Sequence, residues 1–146
     1  MGYRVGLGYS DLEEGMTIEG TSITVTESHI VLFAGLSGDY NPLHVDEEYA
    51  RKTIFGSRIA HGLLVMSLAS GPLGMAFAGK AVALVEFKAR FLKPARIGDT
   101  IKPIAKIAEL KDDEKFNGGR VKLLISVVNQ RGEVIARGEA ILIVSK

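Results

Sequence analysis

Residues 62–79 contain no charged side chain, and this stretch constrains the fold more than any other part of the sequence. A helix that is apolar on every side is a buried helix. At ~1.5 Å per residue, a continuous helix here would be about 27 Å long, enough for a sheet to wrap around it in a small domain. The large apolar side chains of the stretch are Leu63, Leu64, Val65, Met66, Leu68, Leu73, Met75 and Phe77. The sequence therefore predicts a central helix enclosed by the rest of the chain.

Pro72 follows Gly71 inside this stretch. A proline within a helix removes one backbone hydrogen bond, and its ring clashes with the preceding turn. We therefore predict a kink or a break in the central helix. If the helix breaks, Ser70 is placed to cap its second piece.

The second half of the chain has the residue alternation of β-strands. Clusters of turn residues at 112–119 and 129–133 predict hairpins, and hairpins that join successive strands predict an antiparallel meander. The predicted strands cover residues 81–92, 100–110, 120–129 and 134–144, and an earlier strand is predicted over residues 17–26.

Asp39 and His44 lie in a short turn sequence between two predicted helices. Gly38 lets the chain turn, and Asn41 before Pro42 is barred from helical geometry, so both side chains are expected on a tight loop. A carboxylate beside an imidazole suits the handling of a water molecule, because a neutral imidazole can accept its proton. On local grounds alone, an aspartate in such a turn more often bonds the backbone.

The helices on either side of this loop have recognisable ends. Ser28 is the predicted N-cap of the first helix, and His29 is predicted to be an exposed residue near its start. Residues 46–52 predict a second, short helix, since their acidic start and basic end match the helix dipole. The catalytic candidates thus lie where one helix ends and another begins.

The sequence over residues 37–46 reads Ser-Gly-Asp-Tyr-Asn-Pro-Leu-His-Val-Asp, and residues 55–62 read Phe-Gly-Ser-Arg-Ile-Ala-His-Gly. Together with residues 11–16 and 90–99, these motifs resemble the MaoC-like family of (R)-specific enoyl-CoA hydratases. The resemblance implies an α+β hotdog fold, in which a curved antiparallel β-sheet wraps around a central buried helix. It also implies a homodimer, or a dimer of dimers, with active sites along the subunit contact. The length of 146 residues is that of one domain, so a single domain over residues 1–146 is expected.

The activity that the resemblance implies is that of a hydro-lyase, the reversible syn addition of water to a trans-2-enoyl-CoA to give an (R)-3-hydroxyacyl-CoA. Asp39 and His44 match the catalytic pair of the family, the Gly62 amide its oxyanion donor, and Ser70 a small polar residue near the substrate. The proton at C2 would come from Asp39 or through the same water. No cofactor is expected, because coenzyme A is part of the substrate.

Several neighbouring residues are given supporting roles. His61 is expected to fix the loop rather than to carry a proton, and Asn41 to brace the turn. The Ser70 hydroxyl is expected either to cap a helix or to contact substrate. Basic partners for the coenzyme A phosphates are sought among Arg58, Lys88, Arg90, Lys93 and Arg96, although charges on strands are usually a solvated face.

Three other functions stay open at this stage. A hotdog acyl-CoA thioesterase shares the fold and the ligand, but it commonly has an acidic residue on the central helix, and residues 62–79 contain none. A non-catalytic acyl-CoA binding subunit would be expected to lose the Asp39 and His44 pair. A dehydratase acting on acyl carrier protein would run the same chemistry backwards. Acyl-chain length and pathway are not predicted.

The composition excludes several further classes. The chain has no cysteine, so it has neither disulfides nor a thiolate nucleophile. Its 18 basic and 17 acidic residues nearly cancel and form no basic block, which argues against nucleic acid. No apolar run approaches the ~20 residues of a spanning helix, and no secretory signal is recognised, so a cytoplasmic protein without a membrane partner is expected. Three histidines without ligand spacing predict no metal site.

Overall fold

The computed structural model describes residues 4–146 as an antiparallel sheet packed against a helix. The strands run in the order β1-β4-β5-β6-β3, and β2 also pairs with β4. All pairs are antiparallel, with β4–β5 and β5–β6 joined as the predicted hairpins. The strands are β1 (Thr17–Glu19), β2 (Ile23–Thr24), β3 (Ala81–Phe91), β4 (Thr100–Asp113), β5 (Gly118–Val128) and β6 (Val134–Ser145). The four strands predicted in the second half of the chain are confirmed.

The strand predicted over residues 17–26 is wrong as one element, because it is divided into β1 and β2. The division follows from close packing at Gly20. A Cβ at this position would lie 2.7 Å from Pro72 and 2.6 Å from Pro103, so the chain can pass here only as glycine. The Gly20 N–H donates to the Pro103 carbonyl at 2.8 Å, which holds the interruption against β4.

The helices are α1 (Glu27–Ser37), α2 (Pro42–Val45), α3 (Glu47–Ala50) and α4 (Gly62–Ala76). The central helix of the prediction is α4, and its buried side chains join those of the strands in one core. Along β5 the buried positions alternate, since Val121, Leu123, Ile125 and Val127 face the helix. The sheet therefore covers α4 with one of its faces, which is the arrangement that the hotdog prediction requires.

The ends and surroundings of α4 differ from the prediction. The helix stops at Ala76 and runs through Pro72 without a break, so Ser70 does not cap a second piece. One side of α4 is also open in the single chain, because the sheet covers only the opposite side. The exposed positions are Leu63, Ser67, Ser70, Gly71, Gly74 and Met75.

The first helix begins two residues earlier than predicted, with Thr26 rather than Ser28 as its N-cap. His29 accepts the Thr26 N–H at its Nδ1 over 2.9 Å, which explains why this side chain is partly buried rather than exposed as predicted. Asp46 caps α3 by accepting the Tyr49 N–H at 3.0 Å, so it precedes the helix. Within residues 4–146, no helix is both long enough and apolar enough to cross a membrane.

Candidate active site

The turn after α1 is shaped by a chain of short-range hydrogen bonds. Gly38 ends the helix with φ at 77°, a left-handed conformation that favours glycine. The Asp39 N–H donates to Ser37 Oγ, and Asp39 Oδ1 accepts the Asn41 N–H, both at 3.1 Å. One carboxylate oxygen of Asp39 thus stabilises the turn, while the side chain as a whole stays exposed.

His44 lies on the one-turn helix α2 and not on a loop as predicted. Asn41 caps this helix by accepting the Leu43 N–H at 3.1 Å, which confirms its bracing role, and Pro42 occupies the first helical position. Proline suits that position because it needs no backbone donor there. Pro42 disfavours helical geometry at the preceding Asn41, but it allows a helix to begin at Pro42 itself.

The tautomer of His44 is fixed by a backbone carbonyl. Nδ1 lies 2.8 Å from the Ile59 oxygen, and because a carbonyl oxygen can only accept, Nδ1 carries the proton. In the neutral imidazole, Nε2 then has a free lone pair. The partly buried ring is thereby prepared to accept a proton from a bound water.

His61 joins the same cluster. Its ring stacks on that of His44, with centroids 3.9 Å apart and an angle of 27° between the planes, and it is 2% exposed. One potential ligand atom of each of Asp39, His44 and His61 lies within 4.8 Å of the others. The structure therefore brings the predicted pair together and adds a histidine whose contact with the pair was missed. The position of His61 next to Gly62 in the sequence was the signal that could have indicated this contact.

These three side chains suit a water molecule better than a metal ion. The lone pairs of an imidazole lie in the plane of its ring, so two stacked rings direct their nitrogens along nearly parallel lines rather than at one ion. His61 Nε2 also donates to the Asp39 carbonyl at 3.0 Å and is not free to ligate. A shared cation would need both rings to reorient.

Gly62 is the first residue of α4, where a backbone N–H has no acceptor inside the helix. Within residues 4–146, no other backbone or side-chain acceptor is recorded for this N–H. Phe91 packs closely here, because a Cβ at Gly62 would lie 3.0 Å from its ring and the ring would have to shift to admit it. The N-terminal end of a buried helix thus carries a free donor beside His61, one residue away.

A cavity of about 360 Å³ adjoins this end of α4. Gly62, Ile59 and Phe91 contribute to its wall, and the remaining lining is apolar apart from Lys93. Ile59 is the residue whose carbonyl holds the His44 ring. Asp39 and His44 do not line the cavity, which is joined to the His44 ring through Ile59 and can accommodate an apolar chain.

Ser70 lies two helical turns beyond Gly62 on the open side of α4. Its hydroxyl donates to the Ser67 carbonyl at 2.8 Å, within its own helix. The structure therefore does not include Ser70 in the hydrogen-bond network of Asp39 and His44. A contact between Ser70 and the substrate stays a prediction.

Most of the basic candidates for phosphate binding have partners within the chain. Arg58 bridges Glu27 and Glu47, each at 2.8 Å, and lowers the pKa of the Glu47 carboxyl. Lys88 pairs with Glu86, Lys93 pairs with Glu133, and Arg96 donates to the Phe55 carbonyl. Among the described residues, no ion pair or side-chain hydrogen bond is recorded for Arg90, which makes it the strongest remaining phosphate candidate of the five.

The sequence profile of the family described as "MaoC like domain" matches residues 11–129. An (R)-specific enoyl-CoA hydratase of Rhodospirillum rubrum is 38% identical over 136 residues, which cover 93% of this chain and 90% of that protein. The family match includes Asp39, His44 and Gly62 as well as strands β1 to β5.

Solved structures show the same arrangement of elements. The unliganded R-hydratase PhaJ1 from Pseudomonas aeruginosa superposes with a TM-score of 0.85 at 32% identity, over 98% of this chain and 88% of that one. A Mycobacterium tuberculosis protein with a double hotdog fold superposes with a TM-score of 0.84 at 17% identity, over 97% of this chain and 45% of that one. The second likeness concerns the fold alone, and it confirms the predicted hotdog architecture.

Proposed function

Since this chain belongs to the MaoC-like domain family, we propose that it is an (R)-specific enoyl-CoA hydratase. It is a hydro-lyase that adds water reversibly to a trans-2-enoyl-CoA and gives an (R)-3-hydroxyacyl-CoA. The observation that carries this proposal is the pairing of the Asp39 carboxylate with His44, whose Nδ1–H is held by Ile59 so that Nε2 is free to act as a base.

In the forward direction, water lies between Asp39 and His44. His44 Nε2 accepts one proton of this water while its oxygen forms a bond to C3 of the substrate. The C2–C3 π electrons move toward the thioester, and C2 then takes a proton either from Asp39 in its protonated form or from the hydroxyl that the water has become. His44 returns its proton to whichever of these two groups gave one up, so the enzyme is restored and the product has gained one hydroxyl and one hydrogen.

The Gly62 N–H is the proposed donor to the thioester oxygen. Negative charge gathers on this oxygen as C3 is attacked, and the N-terminal end of a helix favours an anion. A donor aimed at such an oxygen is commonly worth about 10²–10³ in rate. Ser70 is kept as a proposed substrate contact on the same helix.

The substrate is an acyl thioester with an apolar segment. The cavity beside Gly62 has a mostly apolar wall and a volume of about 360 Å³, which suits such a segment. Arg90 is proposed to meet a phosphate of the coenzyme, because the other four cations are engaged within the chain. No cofactor is needed for this reaction beyond the coenzyme A of the substrate.

The active form is proposed to be a homodimer, or a dimer of dimers, and residues 1–146 are proposed to form one domain of each subunit. Strand β3 is at the edge of the sheet, and all eleven of its residues are exposed. These exposed residues include the apolar side chains of Val82, Leu84, Val85 and Phe87. An apolar edge of this length readily pairs with another strand. The cytoplasm stays the predicted compartment.

The proposal is tested by following the conjugated thioester absorbance with crotonyl-CoA and longer trans-2-enoyl-CoAs. Wild-type protein is expected to remove the band, whereas Asp39→Asn and His44→Gln are expected to lower kcat by about 10²–10⁴. An Asn at position 39 can still accept the Asn41 N–H. A lower kcat in this variant therefore reports the loss of the carboxyl group and not a change in the turn.

Two matched variants serve as controls. Asp113→Asn keeps an oxygen that accepts the Lys115 N–H, and His29→Gln keeps an acceptor for the Thr26 N–H. Both are expected to retain wild-type rates. Release of free coenzyme A without formation of a hydrated thioester would favour a thioesterase. Binding of acyl-CoA without either reaction would favour a binding subunit.

A further inference from the structure

The ring of His61 is buried and contacts both catalytic candidates, Asp39 and His44. It is 2% exposed, stacks on His44, and meets Phe33 with ring centroids 4.8 Å apart. Its Nε2 lies 3.0 Å from the carbonyl oxygen of Asp39, so Nε2 carries the proton and donates it. One side chain therefore touches the backbone of one catalytic candidate and the ring face of the other.

The opposite nitrogen fixes this tautomer. His61 Nδ1 is fully buried and has no hydrogen-bond partner within residues 4–146. A proton on Nδ1 would be a buried donor without an acceptor, and it would leave the Nε2 lone pair facing the Asp39 oxygen. Both consequences are unfavourable. The Nε2–H tautomer is thus the only neutral form in which the donor is satisfied.

We propose that His61 is a positioning residue that sets the distance between the Asp39 and His44 side chains. Its Nε2–H anchors the Asp39 main chain, and its ring supports the face of His44 while that imidazole accepts and returns a proton. His61 itself transfers no proton. This inference rests on the proposed hydration, and it assigns to one atom the loop-fixing role that the sequence only suggested.

The anchoring hydrogen bond and the stacked ring can be separated by two substitutions. His61→Gln places an amide N–H close to the position of Nε2 and keeps the donor, whereas His61→Phe keeps an aromatic ring on His44 and removes the donor. Since misplacement of a catalytic group by ~1 Å can cost about 10²-fold, we expect His61→Phe to lower kcat by about 10–100-fold. His61→Gln is expected to restore kcat to within about threefold of wild type, with KM unchanged in both variants.

A packing role alone would give a different result. It would make His61→Phe the better replacement, because Phe preserves the aromatic volume, and it would lower the Tm rather than kcat. Equal rates for His61→Phe and wild type, or a His61→Gln variant as impaired as His61→Phe, would overturn the proposal. His29→Gln is the matched control, since it makes the same change in the histidine that lies outside the site.

A measurement on the wild-type protein keeps the proposal testable even if His61→Phe does not fold. Two-bond ¹H–¹⁵N spectra of the histidine rings are expected to show the neutral His61 ring protonated at Nε2 and not at Nδ1. A neutral ring with its proton on Nδ1 would contradict the anchor. Wild-type inactivity on every enoyl thioester would remove the proposed hydration, whereas wild-type activity unchanged by His61→Phe would remove only the positioning role.

Discussion

Two serines on the open side of α4 offer a test of the substrate contact at the level of single side chains. Ser67 Oγ donates to the Leu63 carbonyl at 2.7 Å, and Ser70 Oγ donates to the Ser67 carbonyl at 2.8 Å. Both hydroxyls are exposed and both bond within the helix. If only Ser70 contacts the substrate, the two positions differ in kinetics although they are alike in structure.

We predict that Ser70→Ala raises KM for crotonyl-CoA by about 3- to 10-fold, the effect of losing one ordinary hydrogen bond. Ser67→Ala is expected to leave both KM and kcat unchanged. Steady-state kinetics on the two variants checks the difference. Equal KM values for Ser70→Ala and Ser67→Ala would assign the Ser70 hydroxyl to the helix alone.

The site could be predicted in part because its residues lie close together in sequence. The proximity of Asp39 and His44 was expected from a short turn with Gly38 and Asn41-Pro42. The contact of His61 with them could not be read from spacing, since it depends on how the start of α4 meets the end of α1. The partners of Arg58 were missed for the same reason, because Glu27 and Glu47 are on two different helices.

Among the elements, the long strands were predictable and the short ones were not. Burial alternates over residues 100–107 of β4, 119–128 of β5 and 136–141 of β6, because one face of each of these stretches is buried in the core. The break between β1 and β2 depends on the close approach of Pro72 and Pro103 to Gly20, which is a tertiary contact. The open side of α4 was also not predicted. An apolar helix sequence does not show whether the same chain or a second subunit covers each side of the helix.

The β5–β6 hairpin has a carboxylate that can be tested by pH. Lys93, Arg131 and Asn129 all donate to Glu133, and they lower its pKa from 4.5 to about 2. A carboxyl with a lowered pKa stabilises the fold above its ordinary pKa, and this contribution is lost as the pH falls from about 4.5 to about 2.

We therefore predict that Glu133→Gln lowers the Tm by a few degrees at neutral pH, a modest effect because the ion pairs are near the surface. The difference from wild type should shrink below pH 4.5 and vanish near pH 2. Glu13→Gln, at an exposed position away from the hairpin, is the control. A Tm difference that is the same at both ends of this range would show that the charge of Glu133 does not stabilise the hairpin.

For the whole molecule, the edge of the sheet predicts how two copies associate. Leu84 is 61% exposed on β3, so a lysine there costs the single chain little but would place a charge in the contact between two edges. We predict that wild type is at least a dimer and that Leu84→Lys is a folded monomer. Leu124→Lys, at a 40% exposed position on β5, is the matched control and should stay dimeric.

Light scattering after size exclusion gives the mass of each variant, and far-UV circular dichroism reports whether the sheet is kept. A wild-type monomer, or a Leu84→Lys protein that stays dimeric, would contradict association through β3. If active sites lie along the contact, the Leu84→Lys monomer should also lose hydratase activity while Leu124→Lys keeps it.

The most direct test of the proposed hydration is the stereochemistry of the product formed in D₂O. Crotonyl-CoA is incubated with the wild-type protein, and the hydroxyacyl product is analysed for its configuration at C3 and for deuterium at C2. The proposed (R)-specificity predicts the (R)-alcohol, and catalysis by Asp39 and His44 from one side of the substrate predicts a single deuterium added from the same face as the hydroxyl. An (S)-alcohol, anti addition of deuterium, or free coenzyme A with no hydrated thioester would contradict the assignment.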